Sequence, residues 1–104
     1  MIKIRSLETA VYRYPLKTPV QTSFGIMRDR PMVLVKLLDD EGVTGIGEIW
    51  CNFPSVGAEH RANLVNSIFS PLLSSQTFES PEDAFDYLTK NTWVLGLQTG
   101  EFGP

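Results

Sequence analysis

The sequence predicts an α+β domain, a three-stranded antiparallel β-meander followed by a helical segment. Three observations carry this. Up to residue 50 the apolar residues are largely β-branched or aromatic and tend to alternate, the spacing of strands. From Ala58 onward they recur at intervals of three and four, the spacing of a helix face. Turn and cap residues mark the reversals, "DDEG" at 39–42 and "SPED" at 80–83.

The first strand is expected over 2–14. Ile2 and Ile4 share one phase while Leu7, Thr9 and Val11 share the other, so a bulge near Ser6 is needed to reconcile them. Pro15 is expected to end the strand or to confine its end to an edge. The stretch "KTPVQTSFGIMRDR" (17–30) has no sustained period and contains Pro19 and Gly25, so it reads as a long loop. "PMVLVKLLDD" predicts a second, central strand over 31–39, apolar on both faces. Gly42 supplies a residue free to take positive φ in the turn that follows. "VTGIGEIW" predicts the third strand over 43–50, and Gly45 and Gly47 inside it suggest that something packs very close.

Helices are expected near 58–70 and 81–92. Leu64, Val65, Ile68, Phe69 and Leu72 line the inner face of the first, with Pro71 in its last turn. Ser80 is the N-cap of the second, Pro81 its first residue and Asp83 the third position after the cap. Phe85, Leu88 and Thr92 are its expected inner face. "WVLGLQTGEFGP" (93–104) is apolar and glycine-rich without a closing element, and it reads as a linker leading out of a 1–92 domain.

Composition bounds the possibilities. The chain has 104 residues, 42% hydrophobic and 20% charged, which suits one soluble domain, or a piece of one, with a modest core. It carries no membrane-length apolar run and no signal-peptide core, so no membrane partner and a cytoplasmic location are expected. A lone cysteine, Cys51, forms no internal disulfide. Residues 1–36 hold seven of the nine Lys/Arg and residues 37–104 hold ten of the twelve acids. The basic residues are spread through strand-like sequence without aromatic interleaving, so no nucleic-acid partner is expected.

Chemistry-bearing motifs are sparse. There is no phosphate loop, metal-ligand spacing or nucleophile–base arrangement. Glu48 is a single carboxylate without a partner acid, and its expected role is structural, at the base of the following loop. Arg28 and Arg30 read as solvated. His60 reads as exposed, and Cys51 as a small buried hydrophobe rather than a reactive thiol.

A first strand, a long loop with "SFG", the hairpin "PMVLVKLLDDEGVTGIGE", an aromatic loop "WCNFP" and two helices stand here in order. That ordered set resembles the N-terminal capping domain of the mandelate racemase/muconate lactonising branch of the enolase superfamily. The resemblance extends over essentially the whole chain. It implies an enolase N-terminal-like fold whose C-terminal (β/α) barrel is absent from these residues. It implies an enzyme that abstracts the proton α to a carboxylate, as an acid-sugar dehydratase or 2-hydroxy-acid racemase. Cycloisomerase and dipeptide epimerase are the alternative reactions. It implies Mg²⁺ in the full-length enzyme, with ligands and bases supplied by the barrel and none by this chain.

The implied partners are the protein's own barrel, a small carboxylic acid and further copies of itself. Two loops would wall the substrate pocket: Ser23, Phe24, Gly25 and Met27 in the first, Trp50, Asn52 and Phe53 in the second. For Phe24 and Met27 the competing reading is packing on the domain's own sheet. For the chain as a whole it is a stand-alone interaction module with exposed aromatic loops.

Overall fold

β1 (Ile2–Thr22) and β2 (Gly25–Asp39) form one long antiparallel hairpin, and β3 (Thr44–Ile49) pairs back on β2. The computed structural model describes residues 1–51 and 53–101. After the sheet come α1 (Gly57–Leu64), a π-helical turn (Val65–Phe69), α2 (Ser70–Ser74), the short β4 (Thr77–Phe78) and α3 (Pro81–Thr99). The sheet order is β3-β2-β1-β4, antiparallel throughout. The α+β meander with helices behind it therefore stands, with β4 added at one edge.

The two-phase pattern of β1 resolves as expected, with a register shift between Ile4 and Ser6. Ile4 is thereby buried in the same cluster that Leu7 packs against. Beyond the shift, Leu7, Thr9, Val11 and Arg13 all face the helices. Leu7 and Val11 join apolar clusters, Thr9 donates to Asn66 Oδ1 at 3.1 Å and Arg13 reaches α1.

The loop expected over 17–30 is instead the outer half of the hairpin. β1 runs past Pro15 to Thr22, with a second irregularity between Pro15 and Val20, and β2 begins at Gly25. The prolines are tolerated because β4 pairs with β1 only at Ile2 and Lys3, and β3 covers β2 only from Val33 to Leu38. Outside that span the hairpin is a two-stranded ribbon, both of whose strands are edges, and a missing N–H costs no ladder bond there. The "DDEG" turn forms as expected, with Gly42 at φ 88° and Asp39 Oδ1 accepting the N–H groups of Glu41 and Val43.

Among the described residues nothing makes the close approach expected at Gly45 and Gly47. A Cβ built on either meets nothing within 4 Å, because β3 is the edge strand and its helix-side face is open. The first helical stretch also differs from a plain helix over 58–70. Pro71 cannot donate to the carbonyl four residues back and its ring crowds that position, and the chain widens into the π-helical turn just before it.

Ser80 caps α3 as expected, with extended backbone and its hydroxyl accepting from Asp83 N–H at 3.2 Å. α3 runs on past residue 92 to Thr99 and ends on Gly100 in the left-handed conformation, φ 75°. Leu88 and Thr92 face inward as expected, but Phe85 is 52% exposed. Ala84, one turn before Leu88, and Tyr87, three residues after Ala84, pack against the cluster in its place.

Two apolar clusters hold the layers together. Ile4, Leu73, Phe78 and Leu88 join β1, α2, β4 and α3, and Val33, Cys51, Ala58 and Ala62 join β2 to α1. Phe78 is the reason β4 matters. Its buried ring packs on Tyr87 at 5.5 Å, and burying such a side chain contributes about 1.5–3 kcal/mol. The second cluster lies directly under the segment that follows β3, and so fixes where that segment starts.

Candidate functional site

The tip of the β1–β2 hairpin is a two-residue turn, Ser23-Phe24, between the paired residues Thr22 and Gly25. The Thr22 hydroxyl donates to the Gly25 carbonyl at 2.7 Å and accepts from Phe24 N–H at 3.2 Å, locking the turn from within. Gly25 has φ 148°, where side chains are disfavoured, and a Cβ there would stand 3.1 Å from Phe53 Cζ. The first loop region and the second therefore touch at Gly25 and Phe53.

Phe24 projects into solvent, 89% exposed, and Ser23 is exposed beside it. Met27 departs from its expected place in a loop. It lies within β2 and is 6% exposed, so it packs inside this domain, as the competing reading held. Trp50 is 65% exposed at the start of the second loop. Asn52, expected beside it, lies outside the described residues. Cys51, which follows Trp50, is buried, its thiol directed at the Pro31 carbonyl, and burial pushes its pKa above the ordinary value. A buried, protonated thiol is a poor nucleophile.

Two arginines hold the second loop. Arg61 of α1 donates to the Trp50 carbonyl and lies over the Trp50 ring, 5.7 Å from its centroid. Arg13 of β1 donates from Nε to Ser55 Oγ and from Nη2 to the Ser55 carbonyl, both at 3.0 Å, and from Nη2 to Glu59 Oε2 at 2.6 Å. The Arg13 hydrogen bond holds the Glu59 carboxyl below its ordinary range, and Glu59 in turn raises Arg13. Among the described residues no side-chain hydrogen bond engages Glu48.

The turn that follows α3 lies at the same end. Gly100 N–H bonds the Gly96 carbonyl at 2.9 Å, turning the chain so that Glu101 meets His60 Nε2 at 2.5 Å. A hollow of about 300 Å³ lies between Phe53, His60 and Glu101. A wider, mostly apolar cleft of about 530 Å³ opens beside it between sheet and helices, with Trp50, Arg61 and Glu101 at its rim residues and Leu7, Val35 and Leu88 among its walls. Among the described residues no group of three or more His, Cys, Asp or Glu converges in a way that could hold a metal ion. No described helix is long and apolar enough to cross a membrane.

Arg13 escaped the sequence reading of the candidate site, although a signal existed. It continues the inward phase Leu7–Thr9–Val11, and a charge on an inward phase needs partners. Arg61 gave no such signal, because its partner is a main-chain carbonyl.

With this geometry in hand, comparison with known proteins is decisive about family. The pattern described as mandelate racemase/muconate lactonizing enzyme, N-terminal domain, matches residues 4–97. The chain belongs to that family of enolase-superfamily N-terminal domains. A mandelate racemase/muconate lactonizing enzyme of Bordetella bronchiseptica superposes with a TM-score of 0.81 at 44% identity, over 96% of this chain and 24% of that one. The o-succinylbenzoate synthase of Enterococcus faecalis is 30% identical over 86 residues, 79% of this chain and 23% of the synthase. An enolase from Bradyrhizobium, solved with magnesium and mandelic acid, shares the fold with a TM-score of 0.71 at 23% identity, over 91% of this chain and 26% of its own. The chain thus spans about a quarter of the length of the proteins it matches.

Proposed function

We propose that this chain is the capping domain of a divalent-metal-dependent enzyme that removes the proton α to a carboxylate, and that its two loops close and shape the substrate pocket. The observation that carries this is the gathering at one end of the domain. The hairpin tip, the second loop and the turn after α3 at Glu101 adjoin one another there, with Phe24 and Trp50 largely exposed. Large aromatics that stand mostly exposed are suited to meeting another surface and excluding water from it.

The described residues do not form a metal site, so the Mg²⁺ of this reading belongs to a barrel, as do the bases. The chain's own contribution is packing. Arg61 and Arg13 hold the loop backbone, Phe24 and Trp50 offer apolar surface, and the buried Cys51 takes no part in proton transfer. The magnesium and mandelic acid of the Bradyrhizobium enzyme support a small carboxylic acid as substrate and Mg²⁺ as cofactor. Acid-sugar dehydration and 2-hydroxy-acid racemisation are the reactions we favour.

The test starts with the reading frame. Continuation beyond Pro104 for about 200–250 further residues in alternating strand and helix pattern is expected. The protein expressed from the whole frame is then incubated with Mg²⁺ in D₂O with mandelate, gluconate and a dipeptide, and the α-proton resonance is followed by NMR. Loss of that resonance from one of these acids, dependent on the metal, is the expected result. A frame that stops at Pro104, or a full-length protein that exchanges none of them, would overturn the proposal in favour of an interaction module.

A further inference from the structure

The Arg13 guanidinium is bound to three separate elements at once. Ser55 lies in the second loop, Glu59 in the first turn of α1, and Asp29 on β2, where its Oδ2 is 3.8 Å from Arg13 Nε. The Ser55 hydroxyl closes the ring, accepting from Arg13 and donating to Asp29 Oδ1 at 3.0 Å. Ser55 is therefore held through its side chain and its main chain together. It follows Phe53 and Pro54 directly, and Phe53 is the residue that meets Gly25 at the hairpin tip. Its carbonyl also accepts from Ala58 N–H at 3.2 Å, and the Pro54 carbonyl accepts from Gly57 N–H at 2.9 Å. The anchor thus couples the start of α1 to the loop.

We propose that Arg13 is a positioning residue: its fork on Ser55, shared with Asp29 and Glu59, sets where the second loop lies against the hairpin tip, and so sets the shape of the pocket wall from outside the pocket. A guanidinium is required because two loop acceptors and a carboxylate are engaged in one plane. An ammonium at this site pairs with Glu59 or Ser55 but does not reproduce the fork. The anchoring stands on contacts within this chain. Its consequence for a substrate rests on the capping reading above.

Amide hydrogen exchange by NMR tests the anchoring on this chain. In Arg13→Gln the Gly57 and Ala58 amides are expected to exchange at least about tenfold faster, while the Val33 and Val35 amides of the sheet keep their rates. Arg13→Lys is expected to restore little, and Ser55→Ala to give an intermediate loosening. Unchanged Gly57 and Ala58 rates, equal acceleration across the sheet in both Arg13→Gln and Ser55→Ala, or full rescue by lysine would overturn the proposal. In the whole-frame enzyme, Arg13→Gln is expected to raise KM for the exchanging acid with kcat within about twofold, the mark of lost uniform binding. Loosened amides with an unchanged KM would leave the anchor intact and reject the loop as a pocket wall.

Discussion

Gly25→Ala probes the contact between the two loops and the backbone that permits it. At φ 148° a residue with a side chain sits in a region that is essentially glycine's alone, which costs about 1–3 kcal/mol. The new Cβ would also stand 3.1 Å from Phe53 Cζ. Because that atom is the far end of a side chain, the ring retreats by a few tenths of an ångström, adding a strain near the low end of the roughly 1–3 kcal/mol seen for overpacking. The sum is about 2–4 kcal/mol. With a urea m-value of about 2 kcal/mol/M, the unfolding midpoint should fall by about 1–2 M.

The two contributions separate in a double variant. Phe53→Leu removes the crowding atom, so Gly25→Ala/Phe53→Leu should recover only the smaller, steric part. Urea unfolding followed by circular dichroism measures wild type, Gly25→Ala, Phe53→Leu and the double variant, recovery being judged against Phe53→Leu. A Gly25→Ala midpoint equal to wild type would refute the conformational argument. Complete recovery in the double variant would show that packing against Phe53 was the whole effect.

The remaining predictions are smaller. Gly45→Ala and Gly47→Ala should be neutral or stabilising by up to about 1 kcal/mol in this chain, since each Cβ enters open space and the unfolded chain loses freedom; paired urea midpoints check this. Leu73→Ala should cost about 2–5 kcal/mol, because it empties the cluster joining α2 to β1 and α3, and should lower the thermal midpoint accordingly. Glu59 is depressed in the fold by its hydrogen bond from Arg13, so the unfolded chain binds more protons between the two pKa values. Its contribution is therefore full above the ordinary value of 4.5 and is lost as pH falls through the lower folded value. Urea midpoints measured down through that window should fall more steeply for wild type than for Glu59→Gln.

Much of the scaffold was legible because it follows local rules. The bulge before Ser6 follows from two conflicting apolar phases, the turn at Gly42 from turn chemistry, and the α3 start from Ser80-Pro81. The hairpin beyond Pro15 was not legible, because proline's penalty depends on whether a third strand covers it, which is a tertiary fact. β4 is two residues long and announces itself only through its pairing with Ile2 and Lys3. Gly45 and Gly47 signalled a close neighbour, and the described residues place none there.

The candidate site divides in the same way. Phe24 and Trp50 stood out as large aromatics without local partners, and both are exposed. Met27 did not separate from them in sequence, because which side of the hairpin it takes depends on the register after the irregularity beyond Pro15. Arg13 and Arg61 act through contacts spanning 42 and 11 positions, to Ser55 and to Trp50. Such pairs have no spacing signature, and only the folded chain brings them together.

The central claim is that these loops serve a substrate rather than the domain's own stability, and Trp50→Ala and Phe24→Ala test it most directly. Each is measured twice, by urea unfolding of this chain and by α-proton exchange kinetics of the whole-frame enzyme. The account predicts changes in stability within about 0.5 kcal/mol, because both side chains are largely exposed, as is usual at such surface positions. It predicts a kcat/KM lower by about ten- to a hundredfold, equivalent to about 1–3 kcal/mol of lost pocket contact. Variants that unfold several kcal/mol more easily, or that turn over at the wild-type rate, would contradict it.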